Sequence, residues 1–163
     1  MTPRLRRLGA SLLLATSLGI AAPAQATPDT TSASVTRAQV GATNAYSRSA
    51  FTHTNRARAE HERPALRGNA CLRRAAQRQA EQIARAQALS HQDLGRIQRD
   101  CGVGWVGENV AAGYATGRDV VAGWMGSTGH RDNILSTNYN RMGIAAVKDD
   151  NGTWWAAQVF GSR

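Results

Sequence analysis

The sequence predicts an α+β domain in which helices pack on an antiparallel sheet. Two observations carry this. Between Ser49 and about Leu89, small and apolar positions recur at helical spacing. Arg141 to Lys148 and Thr153 to Phe160 are strand-like runs rich in Val, Ile and aromatics. Asp149-Asp150-Asn151-Gly152 joins them, and Asn-Gly is a strong hairpin signal.

The first helix is expected from Ser49, with Phe51, Asn55, Arg58 and Ala59 at turn spacing and Pro64 ending the segment. Asn69 is suited to cap a second helix running to about Leu89. Its inward stripe is Leu72, Ala76, Ala80, Ile83 and Gln87, and its alanines imply close approach to another layer. Gly95 to Tyr114 is glycine-rich and reads as a long loop with short helical turns. Asp119 to Met125 reads as a helix with Val120, Val121 and Trp124 on one side. In the hairpin, Met142, Ile144 and Ala146 share one face of the first strand; Trp155, Ala157 and Val159 share one face of the second.

The start of the chain follows other rules. Arg4, Arg6 and Arg7 precede an apolar run from Leu8 to Ala22, and Ala24-Gln25-Ala26 is a small-x-small cleavage signal. Residues 1–26 therefore read as a secretory signal peptide cut after Ala26, with no transmembrane segment in the mature chain. Residues 27–47, rich in Thr, Ser and Ala, read as a flexible segment, leaving 48–163 as the folded domain. The expected location is extracellular, with the periplasm as the alternative.

The formal charge is +9. Taking Arg4, Arg6 and Arg7 from the 20 basic residues leaves 17 against 11 acidic ones, a mature charge of +6. Such a chain is attracted to anionic surfaces. The arginines from Arg56 to Arg85 read as solvated helix faces, with Glu81 and Arg85 at i,i+4 spacing. No aromatics interleave with them, which disfavours nucleic acid as a partner. Cys71 and Cys101 are the two cysteines, and in an oxidising compartment they are expected to form a disulfide. The loop so closed corresponds to about 3–4 kcal/mol of stabilisation in the loop-entropy account.

Three polar residues stand in unusual company: His91 after Ser90, Glu108 among Gly107, Asn109, Val110 and Ala111, and His130 after Gly129. Two imidazoles and a carboxylate suit a borderline divalent ion such as zinc and leave a position for water. Each residue alone also has a plain reading as a cap or a satisfied polar group. No H-E-x-x-H or G-x-S-x-G motif is present.

Several stretches, in order, resemble the CAP/SCP superfamily of cysteine-rich secretory proteins, antigen 5 and pathogenesis-related 1 proteins. They are "SHQD" at 90–93, "GENVAAG" at 107–113, "VAGWMGSTGHRDNIL" at 121–135, "YNRMGIAAV" at 139–147 and "WWAAQVFG" at 154–161. The earlier "TNRARAEHERPALRGNACLRRAAQRQAEQIA" resembles the first two helices of that family, and "GHRDNIL" its compact bacterial subgroup. The resemblance implies a three-layer α-β-α sandwich with a central antiparallel sheet. It also implies a cleft with two histidines and two acidic residues, able to hold a divalent metal. His91, Glu108 and His130 match three of these four; the place of the second acidic residue holds Ser127, and Asp132 does not match the motif.

The function expected is a non-enzymatic exported module presenting a His/Glu cleft to a divalent metal, a lipid, a small molecule or an envelope component. The alternatives are a metal-assisted hydrolase, a peptidase or cell-wall enzyme with Glu108 as general base, and a basic adhesion module for anionic surfaces.

Overall fold

The computed structural model describes residues 30–162. The expected signal peptide and its cleavage site after Ala26 lie outside the described residues. Helix α1 (Thr30–Glu60) leads into a two-residue strand β1 (Arg67–Gly68) and helix α2 (Ala70–Ala86). Then come α3 (Leu94–Cys101), β2 (Val106–Ala112), α4 (Gly117–Met125), α5 (Thr128–Leu135), β3 (Arg141–Lys148) and β4 (Trp154–Gly161). The sheet order is β1-β3-β4-β2.

β3 and β4 form the hairpin that the Asn-Gly signal predicts. Gly152 takes a positive φ of 84°, which a side chain would strain. The Asp149 carboxylate accepts from the Asn151 and Thr153 amides, closing the turn. β4 then pairs antiparallel with β2 through seven registered pairs, from Val106↔Gly161 to Ala112↔Trp155. β1 adds a short parallel edge, Arg67↔Arg141 and Gly68↔Met142.

The three layers follow from the pleat. On one face Met142, Ile144, Ala146, Ala156 and Phe160 pack with Tyr46, Ala50, Val120, Val121, Trp124 and Ile134 of α1, α4 and α5. On the other, Ala145, Trp155, Ala157 and Val159 pack with Leu72, Ala76, Ala80, Ile83 and Ile97 of α2 and α3. Covering both faces explains why β3 and β4, Gln158 apart, are apolar between their ends rather than alternating. The alanine stripe of α2 permits the approach: a Cβ at Gly143 would stand 2.1 Å from the Arg73 backbone nitrogen. Asn69 caps α2 by accepting from the Leu72 amide at 3.0 Å. Gln87 is not part of the inward stripe; it is the left-handed cap that ends the helix. Cys71 and Cys101 are bridged, joining the start of α2 to the end of α3.

Three expectations are corrected. α1 begins well upstream of Ser49, and Tyr46, stacked on Trp154 at 4.7 Å, is a buried anchor in that upstream part; a composition of small polar residues hid this. Gly95–Tyr114 is not a loop. It holds α3 and β2, and β2 is a strand because β4 pairs with its whole length, not because Gly107, Glu108 and Asn109 favour strands. Among the described residues, the Arg–carboxylate ion pairs on helices are Arg56–Glu60 and Arg96–Asp100, whereas Glu81 accepts from Gln77 instead of pairing with Arg85.

Candidate functional site

β2 is an edge strand, and the site forms where both helical layers fold around that edge. Glu108 shares its face with Val110, which packs in the α2/α3 layer. Its neighbour Asn109 points the other way, toward α5. The α2–α3 loop carries His91 and Gln92 to the first face; α5 carries His130 and Asn133 to the second.

The Glu108 side chain is fully buried, and its carboxylate is satisfied on both oxygens. His91 Nδ1 lies 2.8 Å from Oε1, and the Gln92 amide donates to the same oxygen at 3.3 Å. Gln92 Nε2 donates to Oε2. A carboxylate only accepts, so Nδ1 of His91 carries the shared proton, and Nε2 is the nitrogen left to face outward. The His91 side chain is 58% exposed, so the outward nitrogen has access to solvent. His91 and Gln92 line a hollow of about 390 Å³ with Gln79, Gln82, Arg78, Arg96 and Asp100; His130 is not among its walls. Gln79 holds the loop in place by donating to the Ser90 carbonyl.

His130 is half-buried. Burial lowers its pKa below the ordinary imidazole value, and the nearby charge of His91 lowers it further. The structure thus brings the two imidazoles within electrostatic reach, with the Glu108 carboxylate behind one of them. A chain of buried amides fixes this side. Gln158 Nε2 donates to Thr54 Oγ1 at 2.8 Å; Asn109 Nδ2 donates to Gln158 Oε1 and to the His130 carbonyl, each at 3.1 Å. Asn133 Nδ2 donates to Asn109 Oδ1 at 3.0 Å and to the Glu108 carbonyl at 3.1 Å. Asn109 therefore holds the site together and makes no approach to a ligand. Ser127 stands at the N-cap of α5 but makes no side-chain capping bond.

Among the described residues, no three His, Cys, Asp or Glu side chains are gathered as a metal-ligand set. The hydrogen bonds explain why for Glu108: it backs His91 instead of standing beside it. That arrangement is the outer-sphere partner of a ligating imidazole, which fixes the tautomer and the ring orientation. Two imidazole nitrogens have the donor chemistry of a borderline divalent ion, whereas the Glu108 carboxylate is engaged by His91 and Gln92 and stands behind the ring.

Gln92, Asn133, Gln158 and Thr54 were not legible as site residues. Gln92 had a local signal, because it directly follows His91. The others are linked only by folding, since Gln158 and Thr54 lie 104 residues apart.

A family model described as the cysteine-rich secretory protein family, CAP, matches residues 51–160. The chain is 44% identical over 55 residues to the uncharacterised protein YkwD of Bacillus subtilis, a match covering 34% of the chain and only 21% of that relative's length. An extracellular protein containing an SCP domain from Bacillus anthracis superposes with a TM-score of 0.65 at 26% identity, over 74% of this chain and 41% of that one. An outer surface protein of Borrelia burgdorferi superposes with a TM-score of 0.62 at 20% identity, covering 69% and 89% of the two chains. Both are built on the same α-β-α fold. Among the described residues no helix is long and apolar enough to cross a membrane.

Proposed function

The chain belongs to the cysteine-rich secretory protein (CAP) family, and on that premise we propose that it is an exported, non-enzymatic binding module. Its site offers the outward nitrogen of His91, with His130 within electrostatic reach of it, to a divalent ion such as zinc or to a polar envelope ligand. The observation that carries this reading is the engagement of both Glu108 oxygens by His91 and Gln92. A general base must reach the proton it removes. The Glu108 carboxylate, with no exposed side-chain surface, has His91 between it and solvent. It orients a ring and does not meet a substrate. Export is supported by the Cys71–Cys101 bridge and by relatives described as extracellular or outer-surface proteins.

The test is zinc calorimetry on the wild type and on His91→Ala, His130→Ala and Glu108→Gln. Loss of binding in both histidine variants is expected. Glu108→Gln should weaken affinity about 10- to 100-fold, the usual cost of losing an outer-sphere partner. Unchanged isotherms in both histidine variants would remove the metal from the account. Hydrolysis of peptides or wall polymers that is lost in Glu108→Gln would overturn the non-enzymatic reading.

A further inference from the structure

We infer that the Cys71–Cys101 bridge is a redox latch on the histidine site, opened by a dithiol that attacks Cys101. The inference rests on the reading of the His91 region as a binding site and adds a regulation to it.

The two sulfurs stand in opposite settings. Cys71 is the second residue of α2, whose N-terminus is capped by Asn69. Cys101 is the last residue of α3, directly before the left-handed Gly102. A helix N-terminus stabilises a thiolate and a helix C-terminus opposes one. Cys71 is therefore the better leaving group, and Cys101 is the sulfur to be attacked. Access agrees with this order. Both cysteines are half-buried, and Cys101 lines a hollow of about 300 Å³ that Cys71 does not line. Arg141 stands in the same wall, and no Asp or Glu does. Among the described residues Arg141 makes no ion pair, so its guanidinium is free to draw in an anionic thiolate.

The step is thiol–disulfide exchange. One thiolate of the dithiol bonds to Cys101 Sγ, the bond to Cys71 breaks, and the electron pair leaves on Cys71 Sγ. The second thiolate of the dithiol then displaces Cys101. The reductant ends as a disulfide, and its two protons end on the two cysteines.

The bridge reaches the site through α3. Asp93, the N-cap of α3, directly follows His91 and Gln92, and the eight residues of the helix end at Cys101. At 1.5 Å per residue the helix carries the tie about 12 Å back to that segment. A helix this short is marginal by itself. With the bridge open, Ile97 is its one fully buried side chain. Loosening α3 frees the segment from which His91 and Gln92 hold the Glu108 carboxylate.

The test uses the bridged protein. Brief exposure to 2-mercaptoethanesulfonate, an anionic monothiol, followed by acid quench and peptide mass mapping, is expected to find the adduct on Cys101. Arg141→Glu should slow adduct formation at least about threefold, while Arg85→Glu at the far end of α2 leaves it unchanged. After reduction by dithiothreitol, the amides of α3 and Gln92 should exchange at least about tenfold faster. The His91 ring should lose its single tautomer, while exchange in α1, β3 and β4 stays as it was. Cys71→Ser with Cys101→Ser should behave like the reduced protein, and with no thiols to compete for the ion it should bind zinc at least about tenfold more weakly than the bridged protein. The inference is overturned if the adduct sits on Cys71 or equally on both cysteines, or if α3 and Gln92 exchange at the same rate with the bridge open. It is equally overturned if exchange rises throughout the chain, which marks a staple of the whole fold. Zinc binding absent from the bridged protein itself counts against the site reading alone; the adduct and exchange results decide the latch.

Discussion

Arg58 Nη1 donates to the Ile134 carbonyl at 2.6 Å across 76 residues of chain. The same nitrogen donates to the Ser136 carbonyl at 2.9 Å, and Nε donates to the Pro64 carbonyl at 2.8 Å. One buried guanidinium thus satisfies the carbonyls at the end of α5 and in the turn after α1, with no carboxylate paired to it among the described residues. Burial, and after it the charge of Arg63, lowers its pKa.

Arg58→Met should therefore leave those carbonyls buried without donors. The expected loss is about 2–4 kcal/mol of stability, measured by urea unfolding. A loss under about 0.5 kcal/mol, the range of neutral surface changes, would contradict this role.

Gly143 faces the α2 backbone so closely that a methyl group would meet Arg73 N at 2.1 Å and the Leu72 carbonyl carbon at 2.2 Å. These are backbone atoms and cannot swing aside. Gly143→Ala should cost about 3 kcal/mol through forced separation of α2 and the sheet. Thermal unfolding within a degree of the wild type would show that the layers are not closely seated there.

Asp149 gives a pH dependence whose sign can be worked out. The Gln87 and Trp155 side chains, followed by the Thr153 and Asn151 amides, donate to its carboxylate and hold its pKa below 3.8. The unfolded chain then takes up this proton before the folded one does. The contribution is fully present above about pH 4 and is lost as pH falls through the lower folded value. The stability gap between wild type and Asp149→Asn should shrink as pH drops from neutral toward 2. A gap independent of pH over that span would mean that the carboxylate charge contributes nothing to the turn.

Local features were the legible ones. The Asn69 cap, the Leu72–Ile83 stripe and the Asn151-Gly152 turn depend on neighbours a few residues away, and the structure has each of them. The Cys71–Cys101 bridge was legible by count. β2 was not, because its strand character comes from β4, some fifty residues downstream. Arg58 read as a polar member of a helical stripe; its burial depends on carbonyls that α5 brings from far along the chain. At the site, His91, Glu108 and His130 were legible as a set through the resemblance. Their relationship was not: that Glu108 stands behind His91, with Gln92 clasping its other oxygen, is decided by which face of β2 the α2–α3 loop closes over.

The central claim is that Glu108 fixes the ring of His91 with the proton on Nδ1. The most direct test is the ring nitrogen spectrum of His91 by ¹⁵N-detected NMR at about pH 8, on the alkaline side of ordinary imidazole titration. The account predicts an Nδ1–H tautomer in the wild type, replaced in Glu108→Gln by the Nε2–H form or a mixture. A wild-type His91 protonated on Nε2, or a tautomer indifferent to Glu108→Gln, would contradict it.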